Sequence, residues 1–222
     1  MKKLLLSIVF SVLYVSSASA ELGVNIGVSG NAGLFVANAS ETFDGTLAAN
    51  TKSKNTGTEY GAAGYGSIFI EKTLGSVLVL GVDYTPGSLS TDTTETAKSD
   101  MLGSNATPVV NNKVQIDFED LTTYYVSARM GENFYAKAGL TSVSVVTNEN
   151  LATGSTYGNV DLDGMTYGLG FNHTTDSGAF VRVEGNYVSF DSASVTSSAN
   201  SNVIKLSSLD GVSGKISIGK SF

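Results

Sequence analysis

From Gly211 to Phe222 the chain alternates strictly: Val212, Ile216, Ile218 and Phe222 share one parity, while Gly211, Ser213, Lys215, Ser217, Gly219 and Ser221 take the other. A period of two is a strand with one apolar and one polar face. Seven earlier segments carry the same signal. In the first, Leu22, Val24, Ile26, Val28, Ala32, Leu34 and Val36 oppose Asn25, Ser29 and Asn31. The second spans about 60–73 and the third runs from Val77 to Tyr84, with Leu78, Leu80, Val82 and Tyr84 together. The fourth, about 114–129, sets Tyr124, Val126 and Ala128 against Tyr125, Ser127 and Arg129. The fifth, 134–146, sets Phe134, Ala136, Ala138 and Leu140 against Tyr135, Lys137 and Thr141. The sixth sets Met165, Tyr167, Leu169 and Phe171 against Thr166, Gly168, Gly170 and Asn172, and the seventh Val181, Val183 and Tyr187 against Arg182, Glu184 and Asn186.

Two places resist assignment. Residues 62–71 are apolar on both parities, which leaves the facing of the second segment open. Around Gly164 the apolar parity changes from Val160 and Leu162 to Met165 and Tyr167, which predicts either a one-residue bulge or a later start of the sixth strand.

The connections alternate in length. Three are tight, at 74–76, 131–133 and 173–178, and four are long and rich in Ser, Thr, Asn and Gly, at 41–59, 86–112, 147–159 and 191–201. Short turns at one end and long loops at the other are the topology of membrane β-barrels. The fold class expected is therefore all-β, an eight-stranded antiparallel up-and-down transmembrane β-barrel. An even strand number returns both chain ends to the short-turn side.

Composition narrows this further. Charged residues are 15% of the chain, there are 25 glycines and two prolines, and Cys and Trp are absent. Without Cys there is no disulfide framework, thiol nucleophile or thiolate metal site. Residues 1–20 read as a signal peptide, with Lys2 and Lys3, an apolar centre from Leu4 to Val15 and the small-residue site Ala18-Ser19-Ala20. The centre is shorter than the ~20 residues a helical anchor needs. The domains expected are thus a signal peptide, 1–20, and a barrel, 21–222. Losing Lys2 and Lys3 takes the net charge from −7 to −9, and an acidic chain without a basic patch excludes nucleic acid as a partner.

With the apolar parity toward lipid, Glu71, Asp117, Glu119, Arg129, Lys137, Arg182, Glu184 and Lys215 point into the lumen. An eight-stranded interior is just wide enough for side chains to fill. Four bases and four acids in that space are expected to pair rather than line a pore, because an unpaired buried charge costs several kcal/mol. Gly168 and Gly170 are expected to make room for Phe180 and Arg182. Asp120 and Lys220 fall on the lipid parity, at the outer rim and at the short-turn interface respectively, where charge is tolerated.

Candidate chemistry is sparse. The single histidine, His173, falls at a tight turn, far from where a Ser-His-acid hydrolase would need it. Asp161-Leu-Asp163-Gly164 has two spaced carboxylates but lacks the remainder of a calcium loop. The glycines at 61, 64 and 66 precede no helix and so form no phosphate loop. Neither a catalytic residue nor a metal or other cofactor is expected.

A strand ending on Phe222 behind an export signal resembles the final strand of bacterial outer-membrane β-barrels, and residues 21–222 as a whole resemble the small barrels of the OmpX and OmpA-transmembrane-domain type. That resemblance implies that Phe222 is an assembly signal. It also implies outer-membrane lipid and lipopolysaccharide, the barrel-assembly machinery and periplasmic chaperones as partners, with no peptidoglycan-binding domain after the last strand. It implies a structural or surface-interaction role carried by four extracellular loops. A narrow porin-like channel for small or hydrophobic molecules is the alternative, and an outer-membrane enzyme is third.

Overall fold

The computed structural model describes residues 23–43, 53–98, 101–102, 105–106, 109–151, 155–199 and 201–222. The expected signal peptide and the tips of the first, second and third long loops lie outside them. No helix among the described residues is long and apolar enough to cross a membrane.

Eight strands bond in a ring: β1 (Val24–Phe43), β2 (Ser53–Leu74), β3 (Leu78–Tyr84), β4 (Val110–Met130), β5 (Phe134–Leu151), β6 (Val160–Thr174), β7 (Ala179–Phe190) and β8 (Val203–Ser221). Every neighbour is antiparallel, and β8 closes onto β1 through pairs running from Asn25↔Ser221 upward. Short strands Ser88–Ser90 and Thr94–Lys98 continue β3 along β4, and Ala193–Thr196 continues β7 along β8. Several of these strands are about twice the ~9–11 residues that a bilayer crossing needs, so the sheet stands well clear of the crossing at its long-loop end. There the ring opens on one side. Pairing of β2 with β3 stops at Ile68↔Tyr84, and among the described residues β2 has no strand partner on that side from Ser53 to Ser67.

Register fixes the slope of the strands. Crossing strand by strand from Leu34 through Val212, Tyr187, Tyr167, Ala138, Val126, Leu80 and Lys72 returns to β1 at Val24, ten residues lower. A stagger of this size goes with the strong strand tilt, ~35–45°, that closes a small barrel.

The outer surface carries the apolar parity. Leu34, Leu169, Val212 and Ile216 are each more than half exposed, as are Ile68, Val183 and Ile218, and Val28 is half exposed. A band of bare aliphatic side chains around the ring is stable only in lipid. Phe134, Phe171 and Phe222 edge it near the tight turns, with Phe134 packed edge-on against Phe171 at 5.3 Å. Toward the other margin, Tyr84 donates to Asp120 Oδ1 (3.1 Å) and Tyr187 to Asp210 Oδ1 (2.8 Å).

Inside, glycine and aromatic residues are matched across strands. Five register pairs, Gly27↔Phe69, Gly81↔Tyr125, Gly170↔Tyr135, Gly211↔Phe35 and Gly219↔Phe180, each lay a ring where a Cβ on the glycine would stand. This is how large rings fit in so narrow a lumen. Gly170 therefore accommodates Tyr135, and Gly168 lies against Asn186 and Lys137, rather than making room for Phe180 and Arg182. Gly185 and Gly214, on the outer parity, have open space at the Cβ position. Gly81→Ala and Gly170→Ala are expected to cost ~1–3 kcal/mol by overpacking. Gly185→Ala and Gly214→Ala are expected to be neutral or slightly stabilising. Urea unfolding of the refolded barrels compares the two sets, and equal costs would refute the pairing.

The sixth strand contains no bulge at Gly164. Its pairing with β5 is continuous from Val160↔Val145 to Phe171↔Phe134. The apolar parity changes because Leu162 faces a core in the upper lumen whereas Met165 and Tyr167 face outward. Register shifts lie elsewhere: in β4 between Glu119 and Thr122, where Asp120 takes φ 55°, and between β1 and β8 at Asn38/Ala39.

Candidate functional site: the lumenal plug

The lower lumen holds a cluster of paired charges. Glu71 of β2, only 2% exposed, receives four hydrogen bonds: from Asn25 (3.0 Å), from Tyr125 (2.7 Å) and from both ends of the Arg182 guanidinium (2.6 and 3.0 Å). The two-pronged arginine contact is the strongest geometry available to a carboxylate. Arg182 also lies 5.1–5.3 Å from the ring centres of Phe69, Tyr135 and Phe180. Lys137 pairs with Glu184, whose other oxygen accepts from Tyr135 (2.6 Å). Lys215 pairs with Asp83. These groups reach one another because β2, β5, β7 and β8 alternate with the same phase, which turns each polar position inward at a similar height.

Five of the eight residues expected in the lumenal network, Glu71, Lys137, Arg182, Glu184 and Lys215, are thus brought together. Arg129 is exposed at the last residues of β4 before the turn, outside the cluster. Asp117 and Glu119 are a correction. The bulge at Asp120 shifts the parity above it, so Phe118 packs on the inner core opposite Val145 while Asp117 and Glu119 take the outer face. Asp83 was not anticipated, although its inward parity opposite Val82 and Tyr84 is visible in the sequence.

A belt of small polar side chains lies above the charges. Thr141 bonds both Thr123 (3.0 Å) and Thr166 (2.7 Å). Higher still, Val143, Val145, Leu162, Phe190 and Leu209 form a buried apolar cluster, with Phe35, Phe118, Leu121 and Val188 packed against it. The interior is therefore stacked as charge, hydroxyl and hydrocarbon.

Outside the lumen, His173 is an exposed residue of β6 opposite Val181, just before the turn. Asp161 and Asp163 are exposed on the outer face, Asp161 accepting from Ser144 (2.6 Å). No group of three or more His, Cys, Asp or Glu side chains suited to a metal occurs among the described residues. At the long-loop end Glu149 accepts from the Tyr157 backbone N–H (2.6 Å), while burial holds its carboxyl above the ordinary range. Phe222 bonds Val24 through both backbone groups, with its ring about half exposed.

No protein-family model and no curated protein sequence matches the chain. Among solved structures, the outer membrane protein OprG from Pseudomonas aeruginosa is similar over 90% of this chain and 97% of that one, at 11% identity and a TM-score of 0.52. The fold is that of a small outer-membrane β-barrel. The outer membrane protease OmpT from Escherichia coli is similar at 12% identity, covering 93% of this chain and 99% of that one with a TM-score of 0.47. Ail, the attachment invasion locus protein of Yersinia pestis, is similar at 8% identity over 84% and 98% of the two chains, with a TM-score of 0.33. At 11% identity the likeness to OprG is one of fold alone and leaves the task open.

Proposed function

We propose that the protein is exported behind a cleaved signal peptide at 1–20 and acts in the outer membrane as a closed barrel. Its contacts are made by the long-loop end, which faces outward. The observation that carries this reading is the layering of the lumen. Lys137, Arg182 and Lys215 are each bonded to an inward carboxylate, and the apolar cluster of Val143, Leu162, Phe190 and Leu209 lies above them. An ion entering would have to break a charge-assisted pair and then shed its water in a hydrocarbon layer. The extra length of β1, β2, β4 and β5 beyond the crossing supports a role at the surface. No enzymatic step is part of the proposal. Outer-membrane lipid, lipopolysaccharide, the barrel-assembly machinery and periplasmic chaperones are its expected partners.

Single-channel recording in planar bilayers tests the closure: the purified protein is expected to show no steady current. A stable, ion-selective conductance would overturn the reading in favour of a narrow channel.

Assembly is proposed to depend on Phe222. Its outward, half-exposed ring contributes little burial, so deletion is expected to lower the amount of barrel in the membrane while leaving the unfolding midpoint of the assembled fraction nearly unchanged. Undiminished membrane levels would remove this role.

A further inference from the structure

Above the crossing, the strand Thr94–Lys98 with the upper parts of β4 and β5 forms a three-stranded platform whose outer face is mostly polar, with Val146 opposite Asp117 and Ala97 opposite Asn111 as the apolar positions. Register places Glu95, Lys113 and Asn150 in one row, Gln115 and Asn148 in the next, and Asp117 below them. All stand opposite the parity of Ile116, Phe118 and Val145, which pack inward. The bulge at Asp120 turns the β4 members of this face outward: without it, Lys113, Gln115 and Asp117 would take the lumenal parity. Beside it the segment 155–159 is tied to β5 by Tyr157 N–H to Glu149 (2.6 Å) and Thr147 N–H to Asn159 (3.1 Å). The two enclose an open groove of about 530 Å³, lined by Thr93, Lys113, Gln115, Asn148, Asn150 and Tyr157 among others.

We propose that this groove binds a neutral oligosaccharide. The inference rests on the reading that the long-loop end faces outward. Amide side chains both donate and accept, as sugar hydroxyls do, and rungs ~4.7–4.9 Å apart across the strands present them in rows. Among the described residues the Gln115 and Asn150 side chains have no hydrogen-bond partner. Asn148 is pre-oriented by donating to Asp117 Oδ2 (2.6 Å), which leaves its carbonyl oxygen available. Tyr157, the one aromatic residue of the lining, is buried at 7% exposure and donates its hydroxyl to Glu41 (3.4 Å), so it forms a fixed wall of the groove while the amides make the contacts. Other ligand classes fit poorly. A sulfated or phosphorylated chain would meet Glu149, and the Lys113 it needs is already paired with Glu95 at 2.6 Å. A hydrophobic molecule finds no aliphatic lining, and an extended peptide would pair with a strand edge rather than a strand face.

The test uses the full barrel in detergent micelles, titrated by calorimetry with maltohexaose, with chitohexaose, and with a heparin-derived hexasaccharide as the anionic control. Polysaccharide purified from the producing cell's own surface forms a further arm, which separates a self glycan from a foreign one. Saturable binding of at least one neutral chain, with none of the anionic control, is expected. Gln115→Ala and Asn150→Ala break no internal hydrogen bond, so both are expected to keep the native heat-dependent gel shift. Together they should weaken binding by about tenfold or more, the worth of one to two hydrogen bonds. No saturable binding by any neutral chain, or binding untouched by the double variant, overturns the proposal. Because the titration is independent of conductance, a conducting barrel that binds sugar would refute the closed lumen alone.

Discussion

Arg182→Ala is expected to cost ~3–5 kcal/mol of barrel stability, because it strands a buried carboxylate. Glu71 is 2% exposed, and two of its four hydrogen bonds come from this guanidinium. Asn25 and Tyr125 would still donate to it, but neither carries charge. The same change removes a planar cation from among Phe69, Tyr135 and Phe180, so packing is lost along with the pair. Urea unfolding of the refolded protein measures the effect. The paired variant Glu71→Gln with Arg182→Met separates charge from volume: with no ion left to strand, it should recover more than half of the loss. If the single and paired variants are equally unstable, shape rather than charge holds the plug. Conductance gives a second readout, since the cavity left by Arg182→Ala opens beside Glu71 and is expected to produce intermittent current where the native barrel has none.

How far the sequence foretold this structure depends on which face a residue occupies. On β1, β3, β5, β7 and β8 a single apolar parity persists through the crossing, so facing was legible from spacing alone. On β2 it was not, because Gly61, Ala62, Ala63, Gly64 and Gly66 give neither parity a distinctive side chain. The structure supplies the answer through Ser67, Phe69 and Glu71, which are buried, and Ile68 and Ile70, which are exposed. The parity change near Gly164 was visible but its cause was not. Hydrophobic residues are favourable on the lipid face in the crossing and on the lumenal face above it, so one unbroken strand exchanges its apolar side with height. The bulge at Asp120 carries no sequence signal, its positive φ being visible only in the structure, and the misplacement of Asp117 and Glu119 follows from it. The glycine–aromatic matches needed the register itself. The same holds for Thr141, where spacing alone does not tell whether the lumen has volume for a larger side chain. At 3% exposure and with two hydroxyl partners, it leaves no such volume.

Leu169→Arg is the complementary test, made on the outside of the wall. Leu169 is 65% exposed and lies five residues above Thr174, where β6 ends at the short-turn side. That is near the middle of a crossing of ~9–11 residues. An arginine there has no partner and too long a path to water on either side, so the expected cost is ~2–4 kcal/mol. Val109→Arg serves as the control, because Val109 is 71% exposed but precedes β4 at its long-loop end, beyond the apolar band. There the same side chain is expected to cost ~0–1 kcal/mol. Both variants add the same charge and remove an exposed hydrophobic residue, and neither touches the lumen. Their difference therefore reports the surroundings of the outer face: in bilayers it should be several-fold, whereas equal tolerance would mean that the exposed aliphatic band is not in lipid.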